Sequence, residues 1–349
     1  LPTEKAHGLA TVKLCEAFAD RGLEVTIVAP RRINPIKKHV YDYYRAKRNF
    51  DIRFLPTIDF LWLGFGQRFF FLIQLFSFSL IAVIWLKWHC GRSELERTVI
   101  FSHDHAPLFF TSLVAPNIFY DIHHYPEKTL LYMRVLRKSG GVAVQTRWKA
   151  AKLAEDFSIP EEKIVCWPNG TDIERFDIKL TKEEARLKLN LPQDKKIALY
   201  AGSLQRWKGV ETLVGASRFL PEDTAVYIVG GDKKEIANFQ FSIPNFQSER
   251  VVFAGQKPWL EIPLWLKAAD VLVLPNTAKE KASLYYTSPM KLFEYMASGR
   301  PIVASDIPSI REVVDESMVF FAEADNPRSF AAAIEYALSN PEEANQRTG

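Results

Sequence analysis

Short apolar runs rich in β-branched residues alternate along the chain with longer stretches whose apolar positions recur every three or four residues. The first pattern predicts buried strands and the second amphipathic helices. Strands are expected at 24–30, Asp51–Leu55, 98–102, 117–122, 141–145 and 164–167. A second series is expected at Lys196–Ala201, Thr224–Val229, 251–254, Val271–Leu274, 302–304 and 318–321. Such alternation marks parallel α/β architecture, and two series predict two parallel-sheet domains. The seam is placed after residue 177, giving domains 1–177 and 178–349, next to a charged helical stretch from Lys179 to Arg186 with Thr181 as its cap. Ahead of the first strand, Lys5 to Ala19 reads as a loop turning into a helix, with Val12, Cys15, Phe18 and Ala19 on one stripe. A fold of this kind opens on a strand before such a helix, so the given sequence is expected to lack a first strand.

The run from Phe69 to Leu86 breaks the alternation: among its eighteen residues only Gln74, Ser77 and Ser79 are polar. That length approaches a membrane-spanning helix. Its flanks lead into the expected strands at 51–55 and 98–102, which the pattern places in one sheet, and this argues against spanning. A helix packed on the domain and one that also dips into a membrane interface both fit, and Trp62, Trp85 and Trp88 suit either.

Near the end of the second series, Ser288 is a good N-cap and Pro289 suits the first helical position, leaving the amides of Met290 and Lys291 to face outward. Such a helix end attracts an anion. Glu294 lies about 7.5 Å further along the axis at about 1.5 Å per residue, near the separation between the diphosphate and the ribose diol of a nucleotide. Gly299 supplies the helix stop. The same pattern also fits a plain amphipathic helix with Glu294 solvated. The expected strand 196–201 runs into a loop bearing Gly202, Ser203, Arg206 and Lys208. Loops at the C-terminal ends of parallel strands are where such sheets bind ligands. Cations there suit a diphosphate, although taken alone they are equally ordinary surface residues.

Composition adds limits. With 349 residues, 48% hydrophobic and 25% charged, the chain is long enough for two cores. A net charge of +4 does not argue for nucleic acid. Cys15, Cys90 and Cys166 are odd in number and far apart, which suits a reducing, cytoplasmic setting. The first ten residues contain no apolar core of a secretory signal. Between Arg31 and Arg53 stand eight Lys or Arg against two acids, interleaved with Tyr41, Tyr43 and Tyr44. That segment reads either as a solvated loop or as a patch drawn to an anionic membrane or acceptor. No Asp-x-Asp triplet occurs, and the alternating His103 and His105 are a weak metal signal.

Together, Ala201 to Ser203, Lys208 to Val210, Phe253 to Gly255, Ala269 to Pro275 and Ser288 to Ser305 resemble the donor domain of the retaining, family 4 glycosyltransferases of the GT-B fold. The first half agrees through Gly8, the segments Ala19 to Val25 and Tyr120 to His123, and Trp167 to Asp172. The resemblance implies an α/β GT-B architecture of two Rossmann-like domains facing across a cleft. It implies transfer of a sugar from a UDP- or GDP-linked donor to a glycan or lipid-linked acceptor, with no metal and no cofactor. Glu294 matches the family's ribose-binding glutamate and Lys208 its phosphate-binding lysine. Tyr286 stands where the family has another glutamate, so that a tyrosine meets the sugar. Ser203 replaces an arginine that Arg206 stands near enough to substitute. His123 matches the histidine facing the transferred sugar, with His124 replacing an aspartate. Gly8 lets its loop approach the phosphates, and backbone around Gln256 and Lys257 contacts the base. A non-catalytic nucleotide-sugar-binding subunit, or an epimerase on the same fold, is the alternative.

Overall fold

The computed structural model describes residues 1–3, 6–63, 66–243 and 250–348. Lys5 and Gly349, where the expected opening segment starts and the second domain ends, lie outside the described residues. The chain divides into two compact units. One holds Leu1–Ile122, Pro126–Ala143 and Leu153–Val165; the other holds His123–Tyr125, Val144–Lys152 and Cys166–Gly349. The expected seam after residue 177 therefore falls inside the second unit, which also takes up short pieces of the preceding sequence.

The first series of strands forms as β1 (Thr26–Pro30), β2 (Asp51–Leu55), β3 (Ile100–Ser102), β4 (Ile118–Ile122), β5 (Gly141–Val144) and β6 (Ile164–Cys166). The second forms as β7 (Lys196–Ala201), β8 (Thr224–Val229), β9 (Val251–Gly255), β10 (Val271–Leu274), β11 (Ile302–Ser305) and β12 (Phe320–Ala322). Their ends differ from the expected ones by a few residues, as is usual where apolar pattern alone marks a boundary.

In the first unit β1 and β2 pair in parallel as a two-stranded sheet, and β3 to β6 form a separate four-stranded sheet in chain order. The expectation that residues 51–55 and 98–102 share one sheet is thus corrected: β2 hydrogen-bonds to β1, and β3 to β4. The Ala6–Asp20 helix buries Val12 against Ile27, Ala29, Val40, Tyr44 and Phe50. Gly8 belongs to that helix and not to a loop: the helix already starts at Ala6 and carries Gly8 against Tyr44, whose hydroxyl lies 2.3 Å from where a Cβ would sit. The Tyr44 hydroxyl is held in turn by the backbone of Thr3, accepting from its N–H and donating to its carbonyl at 2.8 Å each.

In the second unit six parallel strands run in the order β12-β11-β10-β7-β8-β9. Alternation along β7 splits its side chains between two cores: Ala198 and Tyr200 join one, Ile197, Leu199 and Ala201 the other. Burial on both faces explains why these strands read as continuous apolar runs. Strand order reverses between β7 and β10, and in open parallel sheets the ligand crevice lies beyond the C-terminal ends of the strands at that reversal. The chain there is tightly folded. Gly209 has φ +64°, and a Cβ on it would lie 1.9 Å from the carbonyl oxygen of Pro275, just after β10. Gly230, after β8, has φ +137° and would place a Cβ 1.9 Å from the Gly202 carbonyl, just after β7. Only glycine permits these approaches.

Candidate functional site

Lys208 closes a 3-10 turn, Arg206–Lys208, that follows β7. Its side chain is buried, and its ammonium lies 3.5 Å from the centre of the Trp207 ring. Burial, reinforced by the charge of Lys291 and opposed by that of Glu294, lowers its pKa to about 7. Lys291 arrives from the Met290–Ala297 helix, and its Cε occupies the space that a Cβ on Gly202 would need, 2.4 Å away. Gly202 after β7, Lys208 in the turn, and Lys291 and Glu294 on one helix thus converge at the strand-order reversal. The charge of Lys291 adds to the cost of charging the desolvated Lys208; an entering anion relieves that cost.

The start of that helix differs from the expected one. Pro289 is the N-cap and Met290 the first helical residue, so Ser288 does not cap the helix. Its buried hydroxyl instead accepts the Asn169 N–H at 3.0 Å, while the Asn169 amide donates to the Ser288 carbonyl at 2.7 Å. The side chain of Ser288 serves a neighbouring segment because Pro289, with ψ 104°, keeps its backbone out of helical geometry. Gly299, at φ +62°, follows the helix end as expected. Inside the helix, the fully buried Tyr295 accepts the N–H of Ala201 with its hydroxyl at 2.8 Å, fixing the helix to the end of β7.

Tyr286 ends a π-helical turn, Ala282–Tyr286, a rare conformation that recurs at functional sites. Its ring stacks on Tyr125 at 5.9 Å and leans on Trp148 at 4.9 Å, while Tyr285 stacks on the same Trp148 at 5.4 Å. The hydroxyl of Thr146 donates to the Tyr285 carbonyl at 2.8 Å. Beside this cluster His123 is exposed, and its carbonyl accepts from the buried ammonium of Lys149 at 2.9 Å. Lys149 also donates to the Gln145 side chain at 2.6 Å, so the buried charge is paired with oxygens.

The expected residues are therefore only partly gathered. Gly202, Lys208, Lys291 and Glu294 form one group, and Ser288, Pro289 and Met290 build the helix entrance beside it. Ser203 contributes its carbonyl, which accepts from the Tyr200 hydroxyl at 2.8 Å. Arg206 is exposed at the start of the turn. Gln256 is exposed, and Lys257 lies over the Trp265 ring at 5.2 Å. Gly8 lies in the first unit. Of the two weak metal candidates there, His103 pairs with Asp121 at 3.0 Å and His105 stacks on Tyr132 at 3.9 Å.

Several participants were not singled out from the sequence. Arg175 lies between the rings of Phe176 and Trp259, 4.8 Å from each, and donates to the Trp259 carbonyl at 2.8 Å. Burial lowers its pKa, opposed by the Glu294 carboxylate. Nothing local to Arg175, Trp148 or Lys149 marks them. Gly230 and Gly231, by contrast, follow an apolar strand directly and carried a readable signal of a tight strand-end loop.

Residues 181–348 match the model of the glycosyl transferases group 1 family, and residues 9–175 match that of glycosyltransferase family 4. An uncharacterized glycosyltransferase of Methanocaldococcus jannaschii is 28% identical over 194 residues, 53% of this chain and 47% of that protein. The alpha-monoglucosyldiacylglycerol synthase of Streptococcus pneumoniae is 26% identical over 206 residues, covering 56% and 44% of the two chains. The match thus spans about half the length of these curated relatives. Among solved structures, Anabaena HepE in complex with UDP and glucose superposes with a TM-score of 0.72 at 16% identity, over all of this chain and 90% of that one. Sucrose-phosphate synthase from Thermosynechococcus elongatus gives 0.74 at 19% identity, over 99% and 87%. With nearly its whole length matched by paired family models and its fold shared with these structures, the chain belongs to the family 4-like glycosyltransferases of the GT-B fold.

Proposed function

We propose that this chain is a retaining glycosyltransferase that takes a sugar from a nucleoside-diphosphate donor, UDP- or GDP-linked, without a metal ion. The observation that carries the reading is the convergence of Lys208, Lys291 and Glu294 on Gly202 at the strand-order reversal. The diphosphate lies against both ammonium groups and the amides of Met290 and Lys291; Glu294 accepts hydrogen bonds from the ribose diol. In the transfer step the bond between the anomeric carbon and the phosphate oxygen breaks, and its electron pair leaves with the nucleoside diphosphate. The acceptor hydroxyl attacks the same face and gives its proton to the departing phosphate. The desolvated cations stabilise the charge that develops on that phosphate. Tyr286 and its aromatic neighbours flank the sugar, with His123 beside them.

The acceptor is a glycan or a lipid-linked molecule, met by the first unit at the inner face of a membrane. A relative named for a monoglucosyldiacylglycerol product supports the lipid-linked choice. Tyr286 in place of a carboxylate favours a second reading, a nucleotide-sugar-binding subunit without activity.

A thermal-shift screen with UDP, GDP and ADP and their sugars identifies the donor, since a ligand at about 100 times its Kd adds about 2.7 kcal/mol. Donor hydrolysis or transfer is then measured for the wild type and for Glu294→Ala and Lys208→Ala. Loss of turnover in both folded variants is expected. An active Glu294→Ala protein overturns the site, and binding without turnover in the wild type selects the second reading.

A further inference from the structure

The Gln67–His89 helix of the first unit is inside out. The polar side chains in its middle turn toward protein: Gln74 and Ser79 are 4% and 0% exposed. The Ser77 hydroxyl lies 3.0 Å from that of Thr57 and accepts the Ile58 N–H at 3.2 Å. Its large apolar side chains turn outward instead, with Phe69 64%, Leu72 61%, Phe76 58%, Leu80 47% and Ile84 43% exposed. Their spacing of three and then four residues keeps them on one stripe, and Lys87, about five turns after Phe69, returns to the same line. A helix on a water-facing surface shows the opposite arrangement. A stripe of this length is far from the scattered exposure that needs no explanation.

Charge and aromatic placement identify what covers it. From Leu61 to Ser93 the sequence holds no Asp or Glu, while Arg68 and Lys87 stand exposed at the two ends of the helix. Trp62, 62% exposed, precedes the helix, and Trp88, 84% exposed, closes it. Indole rings and cations at the margins of an apolar band suit the headgroup layer of a bilayer. A second copy packed on the same stripe would instead bring like charges together. The basic segment continues this surface: Arg32 pairs with Asp59 at 3.3 Å, and the neighbouring Phe60 packs on Phe70 at 5.6 Å. The helix is long and apolar enough to span, with a mean hydropathy of 2.4, but the strands before and after it, β2 and β3, belong to one compact unit. A spanning helix could not return the chain to that unit.

We propose that the Gln67–His89 helix lies in the plane of an anionic bilayer, its stripe from Phe69 to Ile84 among the acyl chains and Arg68, Lys87 and the basic segment against the headgroups. This names the contact surface for the membrane location proposed above and rests on that reading. The test is flotation of the 349-residue chain with vesicles of phosphatidylcholine alone or mixed with phosphatidylglycerol. The wild type floats with the anionic vesicles and is released by salt. The variant L72E/F76E/L80E loses roughly a hundredfold or more in binding. Arg68→Ala or Lys87→Ala loses about fivefold. All variants keep the thermal shift produced by the nucleotide that the wild type binds, which shows that they fold. If the wild type floats and the triple variant floats equally, the surface assignment falls while the membrane location stands. A wild type that stays with the soluble fraction in both mixtures overturns both. A dimer in solution that the triple variant dissolves, without flotation of the wild type, assigns the stripe to a second copy.

Discussion

Asn169 grips Ser288 twice, its N–H on the hydroxyl and its side-chain amide on the carbonyl, at 3.0 and 2.7 Å. These bonds fix the residue immediately before the N-cap of the helix that carries Lys291 and Glu294. Asn169→Ala removes one of them and leaves the Ser288 carbonyl without its donor, at a cost of about 1 kcal/mol in stability. The expected outcome is a folded protein whose affinity for the nucleoside diphosphate falls about tenfold, read by calorimetry. Unchanged affinity would show that the helix entrance holds its position without Asn169.

Lys208 makes stability and binding depend on pH in opposite senses. Its folded pKa of about 7 lies below the ordinary 10.5, so between these values the unfolded chain binds more protons than the folded one. Stability without ligand therefore rises with pH across that window, and the burden of a buried charged lysine is full below about pH 7. In the proposed site a nucleoside diphosphate requires the ammonium form, so binding is expected to take up a proton and to weaken as pH rises above about 7. Calorimetry in buffers of different ionisation enthalpy measures the proton uptake. Lys208→Met abolishes it and flattens the rise in thermal stability.

Gly209→Ala tests the close approach at the reversal point. A Cβ would stand 1.9 Å from the Pro275 carbonyl on a backbone already at φ +64°. Destabilisation of roughly 3 kcal/mol or more is expected from the clash and the left-handed conformation together. Chemical denaturation measures it, and a change below about 1 kcal/mol would mean that the turn relaxes without loss.

Tyr286 separates packing from hydroxyl chemistry. Tyr286→Phe keeps the contacts with Tyr125 and Trp148, at 5.9 and 4.9 Å, and is expected to keep kcat/KM near the wild type. Tyr286→Glu, which places there the carboxylate that the resemblance implies, is expected to lose about 1 kcal/mol of aromatic packing and to lower kcat/KM roughly tenfold. A Glu variant more active than the wild type would show that the aromatic cluster is not what the sugar meets.

Much of the fold was legible because parallel strands buried on both faces are apolar throughout, and β7, β8, β10 and β11 show this plainly. The Thr181 cap was equally plain: its hydroxyl accepts the Glu184 N–H while the Glu184 carboxylate accepts the Thr181 N–H, both local bonds. Ser288 looked as good a cap by type but bonds Asn169, distant in sequence, and local pattern does not carry a choice between near and far partners. The Tyr125, Trp148 and Tyr286 cluster was hidden for the same reason, since it draws residues from separate segments.

By itself the sequence determined the strand and helix series, their grouping into two parallel-sheet domains and the residue types of the proposed nucleotide grip, because these follow from periodicity, caps and local charge. Tertiary structure alone decided that Lys208 is desolvated beside Lys291, that Ser288 serves Asn169, that Gly8 lies in a helix, and that the 67–89 helix turns its apolar face outward. The physical reason is common to all four: burial, the field of a neighbouring charge and the choice of a covered face depend on which distant segments pack together, and no local pattern records that.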